Sequence, residues 1–363
     1  MNSNRAIPLA GVVVPTDNAS TASERHGCNM AGSGVAGMST VAVVLCNYNH
    51  ARYLPDSLGH IYAQTKPADQ VLVIDDGSTD DSWEIIQTFA RDHASLQAHA
   101  NPRNLGLEAS IAKALPLVRC DYLVWVAADD RLLPPFLERN MAILARHPAA
   151  ALSFSEVVVL KGDTEEVDRF ATNPAAPRIF DLSGLPSYLS PDQLRTQMKR
   201  AYLPIASNTA VIRTDGLREF GGFPAALRWF ADSFVCTALA MRHGACVIAE
   251  PLALIRSRPG SYSQKMRDVA QQRQVLEAIL ELLARPQLRD IRDFMRDCPS
   301  NLTVYDPLIL KLLAKRPRDR DLFSAYALWK MFEFSQQTRV ATRRFAGQAK
   351  NALRKGLDAA RRR

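Results

Sequence analysis

Apolar runs of strand length alternate with segments of helical period along the first half of this chain. Val41–Cys46, Gln70–Asp75 and Tyr122–Ala127 are near-continuous runs of Val, Leu, Ile and Ala with a few aromatics. Runs without polar alternation predict strands covered on both faces, as in a parallel sheet. Leu96–Asn101 and Ala151–Leu160 read as two further strands. Between them, Arg52–Gln64 carries Leu54, Leu58, Ile61 and Tyr62 on one helical stripe. Asp81-Ser82-Trp83-Glu84 resembles a capping box and predicts a helix running to Asp92. Glu108–Leu117 and Pro134–His147 complete the helices, the latter with proline in the first turn, where its missing N–H costs little. This repeated strand–helix alternation implies an α/β fold around a parallel sheet with right-handed crossovers.

Beyond Asp163 the pattern loosens into a proline-rich, irregular stretch through Tyr202. An extended segment at Asn208–Arg213, the Gly221-Gly222 turn, a helix over Ala231–His243 and a short strand through Val247 to Arg256 follow. From Gln271 onward the signals are helical: Val275–Ala284, Pro307–Ala314 and Leu322–Phe334. Residues 1–38, rich in Ala, Gly, Ser, Thr and Asn, are expected to be disordered. The expected division is a body over 39–263, a helical extension over 264–338 and a basic tail over 339–363.

Composition narrows the class. With 363 residues, 47% apolar and 23% charged, the chain can bury one large core. No apolar run approaches the roughly 20 residues of a membrane-spanning helix. Pro8 and Pro15 interrupt the short N-terminal apolar run, which argues against a secretory signal. Six cysteines without C-x-x-C spacing argue against a zinc site or disulfide framework and for a reducing, cytoplasmic setting. The formal charge of +8 lies entirely in 339–363, which hold nine bases against Asp358; elsewhere 36 bases meet 36 acids. The neutral body gives no support to nucleic-acid binding. Phe345, Ala349, Leu353, Leu357 and Ala360 recur in the tail near helical spacing. Such a tail is either a tether to an anionic membrane surface at the inner face of the plasma membrane or a solvated terminus.

Two aspartate pairs, Asp75-Asp76 and Asp129-Asp130, close two of the buried strands. One pair could simply mark a turn. Two pairs in consecutive strand–helix units lie where open α/β sheets bind ligands, beyond the carboxyl ends of the strands. Four carboxylates there repel unless a cation or hydrogen-bond donors intervene, and a divalent metal carrying a diphosphate meets that need.

Cys46-Asn47-Tyr48-Asn49, Asp75 to Asp80, Asn104-Leu105-Gly106, Ala128-Asp129-Asp130, Gly221-Gly222-Phe223, Asp232 and Arg256 to Ser261 occur in the order typical of one family. From Val41 to about Ser263 the chain resembles a family 2 glycosyltransferase. The resemblance implies the GT-A fold, a Rossmann-like, mixed and mostly parallel sheet with flanking helices, here with a helical extension. It also implies inverting transfer of a sugar from a nucleotide-linked donor, UDP-linked by expectation, to a saccharide or lipid-linked acceptor in bacterial surface polysaccharide assembly. In that reading Asp130 holds Mn2+ or Mg2+, Asp129 reaches the ribose, Asp76 accepts the uracil N3–H, and Tyr48 stacks on the base beside Cys46.

Asp232 is the candidate general base, which must take the acceptor hydroxyl's proton as that oxygen attacks the anomeric carbon. It could instead cap the helix that follows. Four positions depart from the family pattern: Ala127 and Ala231 replace acids, Ala112 replaces an Asn, and Arg258 stands where a His is expected. An Arg cannot ligate a metal but can pair directly with a phosphate. Ala127, Ala231 and Arg258 favour an alternative, a GT-A scaffold that binds nucleotide sugar without turnover; Asp76, Asp130 and Asp232 oppose it. A sugar-phosphate nucleotidyltransferase fits less well, because no glycine-rich basic loop follows the first strand.

Overall fold

In the computed structural model, the described residues are 39–164, 167–169, 182–258, 268–305 and 308–335. The strands are β1 (Val41–Asn47), β2 (Gln70–Asp75), β3 (Leu96–Ala100), β4 (Tyr122–Ala127), β5 (Arg131–Leu132), β6 (Leu152–Lys161), β7 (Val167–Arg169), β8 (Tyr188–Leu189), β9 (Ala210–Arg213) and β10 (Ala245–Ser257). They form one sheet in the order β3-β2-β1-β4-β9-β6-β10-β5, with β7 on β6 and β8 on β10. The first four strands are parallel, as the alternation predicts. Strand β9 then enters antiparallel to both β4 and β6, and β10 runs parallel to β6. The sheet is therefore mixed: β9 comes from the loose middle stretch, not from a strand–helix unit, and inserts between strands already laid down.

Helices α1 (Leu54–Tyr62), α2 (Ser82–Asp92), α3 (Leu107–Ala114), α4 (Phe136–Arg146), α5 (Pro191–Met198), α6 (Thr214–Phe220), α7 (Ala231–His243), α8 (Val269–Leu283), α9 (Arg289–Asp297) and α10 (Leu308–Leu313) flank the sheet, and residues 320–335 form a last helix. Side chains alternate faces along a strand, and here both faces are covered. Val41, Val43 and Leu45 of β1 pack with Leu54 and Leu58 of α1 and Phe136 of α4. Ala42 and Val44 face the opposite cluster, which includes Phe234 of α7, Ile279 of α8 and Phe294 of α9. This double cover is why the strands read as unbroken apolar runs. It also places α8 and α9 in the same core as the sheet.

Local departures have local causes. Helix α2 starts at Ser82, but the capping box does not close: Asp81 makes no side-chain cap, and Asp80 Oδ1 accepts the Ser82 N–H at 3.1 Å. The stretch before Tyr202, expected to be irregular, contains α5, opened by a closed capping box between Ser190 and Gln193 with proline at the first turn. That Ser-Pro-Asp-Gln signal was available in the sequence. Helix α9 was also unexpected; it buries Ile291, Phe294 and Met295. The 1–38 segment and the 339–363 tail lie outside the described residues. No helix among the described residues is long and apolar enough to cross a membrane.

Candidate active site

The carboxyl ends of β1, β2 and β4 meet at one edge, because these three strands are parallel neighbours. Asp75 is buried and structural: its Oδ1 accepts from Asn47 Nδ2 at 2.7 Å and Ser78 Oγ at 2.6 Å, and its Oδ2 from Ser78 N at 3.0 Å. Ser78 Oγ in turn accepts from Asn49 N, and Asn49 Oδ1 from Thr79 N. Asn49 reaches this position with φ 55°, a left-handed conformation that Asn tolerates better than most residues. The Asn-Tyr-Asn and Asp-Gly-Ser-Thr segments are thus a single hydrogen-bonded lattice. Gly77 closes it: at φ +69° an added Cβ would lie 2.4 Å from the Arg103 carbonyl carbon. Tyr48 is left projecting from this lattice, 39% exposed.

Asp76 turns the other way. Its Oδ1 accepts from Asn101 Nδ2 at 2.7 Å and Leu105 N at 3.0 Å, and its Oδ2 from Gly106 N at 2.8 Å. It therefore pins the Asn-Leu-Gly loop, and only Oδ2 keeps a lone pair for another donor. Cys46 lies behind it; burial, then the Asp76 charge, pushes the thiol up to about 12, so it stays protonated.

Asp129 and Asp130 follow β4 on a tight turn closed by Asp130 N–H to Ala127 O at 3.1 Å. Both side chains are buried. Asp129 Oδ2 accepts from Arg258 Nε at 2.9 Å, and Arg258 also contacts His50 Nε2. His50 is held below the usual imidazole range, chiefly by burial, with Arg258 acting in the same sense against Asp129. Arg256 is buried and donates Nε to Asp129 O at 3.0 Å; its guanidinium and that of Arg258 lie 5.0 and 5.4 Å from the Tyr53 ring centre. Asp130 Oδ1 accepts Arg256 N at 2.8 Å and Oδ2 accepts Asn208 Nδ2 at 2.8 Å. Burial first, then the Asp129 charge, pushes the Asp130 carboxyl up to about 7.

A divalent cation fits this donor set. Burial first, and the Asp129 charge second, disfavour the ionised form of Asp130, which a bound cation would favour, and each of its oxygens keeps one lone pair. Among the described residues no cluster of three or more His, Cys, Asp or Glu could hold a metal. Phosphate and water oxygens would therefore complete the shell, which Mg2+ and Mn2+ accept.

Asp232 is not a helix cap. Helix α7 begins at Ala231 with Phe230 in the cap position, so Asp232 lies within the first turn, where the helix dipole favours a carboxylate. Its Oδ2 accepts from Ser207 N at 3.1 Å and Ser207 Oγ at 2.9 Å. Ser207 and Asn208 were not recognised from the sequence. The only signal was a polar Ser-Asn-Thr trio inside the apolar run from Leu203 to Ile212. Through this turn the structure brings Asp232 to Asp130. Arg258, expected to face phosphate, instead pairs with Asp129, and Pro259 to Ser261 of its motif lie outside the described residues.

Residues 42–202 match the family model described as glycosyl transferase family 2. An uncharacterized glycosyltransferase of Haemophilus influenzae is 29% identical over 123 residues, covering 33% of this chain and 38% of that protein. A putative teichuronic acid biosynthesis glycosyltransferase, TuaG of Bacillus subtilis, is 24% identical over 134 residues, covering 37% and 53%. The match thus spans about half, or less, of these relatives' length. Among solved structures, the mannosyltransferase PcManGT of Pyrobaculum calidifontis, in complex with GDP-Man and Mn2+, superposes with TM-score 0.50 at 18% identity over 81% of this chain and 86% of that one. The fold is GT-A, a mixed, mostly parallel sheet with flanking helices and a helical C-terminal region.

Proposed function

We propose that this protein transfers a sugar, with inversion, from a UDP-linked donor to a saccharide or lipid-linked acceptor in bacterial surface polysaccharide assembly. The observation that carries the reading is that Asp76 and the Asp129-Asp130 pair follow the parallel strands β2 and β4, that the consecutive residues Asn208 and Ser207 hold Asp130 and Asp232, and that Tyr48 is exposed after β1. Tyr48 and the Oδ2 of Asp76 face the base, Asp129 the ribose, and Arg258 the departing phosphates once it leaves Asp129. Asp232 takes the acceptor hydroxyl's proton as that oxygen bonds to the anomeric carbon and the bond to the diphosphate breaks. Mn2+ or Mg2+ at Asp130 would neutralise charge developing on the leaving diphosphate.

Calorimetric titration with UDP-sugars and GDP-mannose, with and without Mn2+, tests this reading. UDP-sugar binding that strengthens with Mn2+ is expected. Absence of nucleotide-sugar binding in both conditions would sink the proposal. Metal-independent binding would shift the phosphate role to Arg258. The Arg258–Asp129 pair also favours a second reading, a protein that holds nucleotide sugar without turnover. Donor binding without any product release would select it.

The basic tail is proposed to hold the protein at an anionic membrane surface. Leu328, Met331 and Phe332, at helical spacing on the last described helix, are 67%, 69% and 53% exposed just before the nine bases. Deleting 339–363 is expected to abolish cosedimentation with phosphatidylglycerol vesicles, and salt to weaken it in the full chain. Exposed charges act over only about 8 Å at physiological ionic strength. Unchanged vesicle binding after deletion would leave the tail a solvated terminus.

A further inference from the structure

Two acids assigned to different halves of the reaction are fastened to consecutive residues. Ser207 holds Asp232, and Asn208 holds Asp130. Asp130 follows β4 and Asp232 opens α7, elements that packing alone would position only through several side chains. Here a single peptide link joins their anchors.

We propose that the Ser207–Asn208 turn is a positioning element: it selects the oxygen of Asp232 that receives the acceptor's proton and sets that oxygen's place relative to Asp130. This rests on the base assignment made above. Both Ser207 donors converge on Oδ2, the N–H at 3.1 Å and the hydroxyl at 2.9 Å, which uses its two acceptor directions. Oδ1 receives no hydrogen bond among the described residues and keeps both. Proton transfer therefore falls to Oδ1, and rotation of the carboxylate would break two hydrogen bonds. On the other side, the Asn208 amide fixes Asp130 Oδ2 while the Arg256 N–H fixes Oδ1.

The turn itself is well held. Thr209 N and Oγ1 both donate to Ala206 O, at 3.1 and 3.2 Å, and Thr209 is fully buried. Immediately afterwards β9 is clamped between β4 and β6. The antiparallel insertion of β9 thus has a local consequence: it delivers the turn to the open end of the parallel strands. Positioning of this kind matters because misplacement of a reacting group by about 1 Å can cost on the order of a hundredfold in rate.

Ser207→Ala removes the hydroxyl but keeps the N–H, and Ser207→Thr restores a hydroxyl. UDP release from UDP-glucose, UDP-galactose and UDP-N-acetylglucosamine, measured in parallel, should show kcat reduced about tenfold or more in Ser207→Ala. Donor KM and melting temperature should be unchanged, and Ser207→Thr should recover most of the loss. A role confined to holding α7 would instead lower the melting temperature and leave kcat intact, which would overturn the proposal. Asp232→Asn serves as the reference. If it loses turnover while Ser207→Ala does not, the positioning idea fails and the base assignment stands. If it keeps turnover, the base assignment itself fails, and the positioning idea with it. Two readouts need no turnover. A crystal structure of Ser207→Ala should show the Asp232 carboxylate in more than one orientation, and a single unchanged orientation would count against the proposal. Asn208→Leu should weaken Mn2+-supported UDP binding several-fold by calorimetry; equal or tighter binding would remove Asn208 from the element.

Discussion

Replacing Asp232 with Asn is expected to lower transfer by at least about a hundredfold, the usual contribution of a positioned base, with donor affinity nearly unchanged. The substitution suits the local geometry. The Asn carbonyl oxygen can take the place of Oδ2 and accept both Ser207 donors, now at 3.1 and 2.9 Å. The amide nitrogen then occupies the Oδ1 position, where it cannot accept a proton. Fold stability should change little, because what is lost is mainly a carboxylate in the first turn of α7, worth about 0.3–1 kcal/mol at a helix N-terminus. A thermal melt and a single-turnover assay separate the two quantities. Near-normal transfer by this variant would reduce Asp232 to an anchor for Ser207 and require a different base.

Asp130→Ala should abolish turnover and remove the Mn2+-dependent part of donor affinity, leaving the fold intact. Two opposing terms act on stability. The variant leaves the Arg256 N–H and the Asn208 amide without their acceptor, at about 1–3 kcal/mol for each buried donor left unpaired. It also removes a carboxyl group that burial and the Asp129 charge hold up at about 7, so an unfavourable buried charge disappears with it. The two terms offset, and the melting temperature is expected to move by only a few degrees. Calorimetry with UDP, with and without Mn2+, is the deciding measurement. A variant that still binds UDP more tightly with Mn2+ than without would place the cation elsewhere.

Much of the sheet could be read from the chain because buried parallel strands leave no freedom in composition: both faces of Val41–Leu45 and Val71–Ile74 are packed, so every position is apolar. The acids at the strand ends were legible for the same reason, as abrupt breaks in those runs. Their individual roles were less so. Asp75 and Asp76 are adjacent and identical, yet one cements the Ser78 turn and the other the Gly106 loop. Spacing gives no hint of that division. Helix α5 was legible in principle, since its cap is local, whereas the Asp81 capping box was signalled but lost to Asp80.

What could be read from the chain was local: most of the strands and helices of the first half, where the acids interrupt them, and the family pattern they resemble. Each depends on residues a few positions apart. Tertiary structure alone decided which groups meet. Asn208 reaches Asp130 across 78 positions, Arg256 reaches it across 126, and Arg258 reaches Asp129 across 129. The antiparallel entry of β9 between β4 and β6 delivers Asn208, and the pairing of β10 with β6 and β5 delivers the two arginines. A strand of four residues carries too little periodicity to announce its neighbours, because its pairing is fixed by shape and burial across the whole sheet.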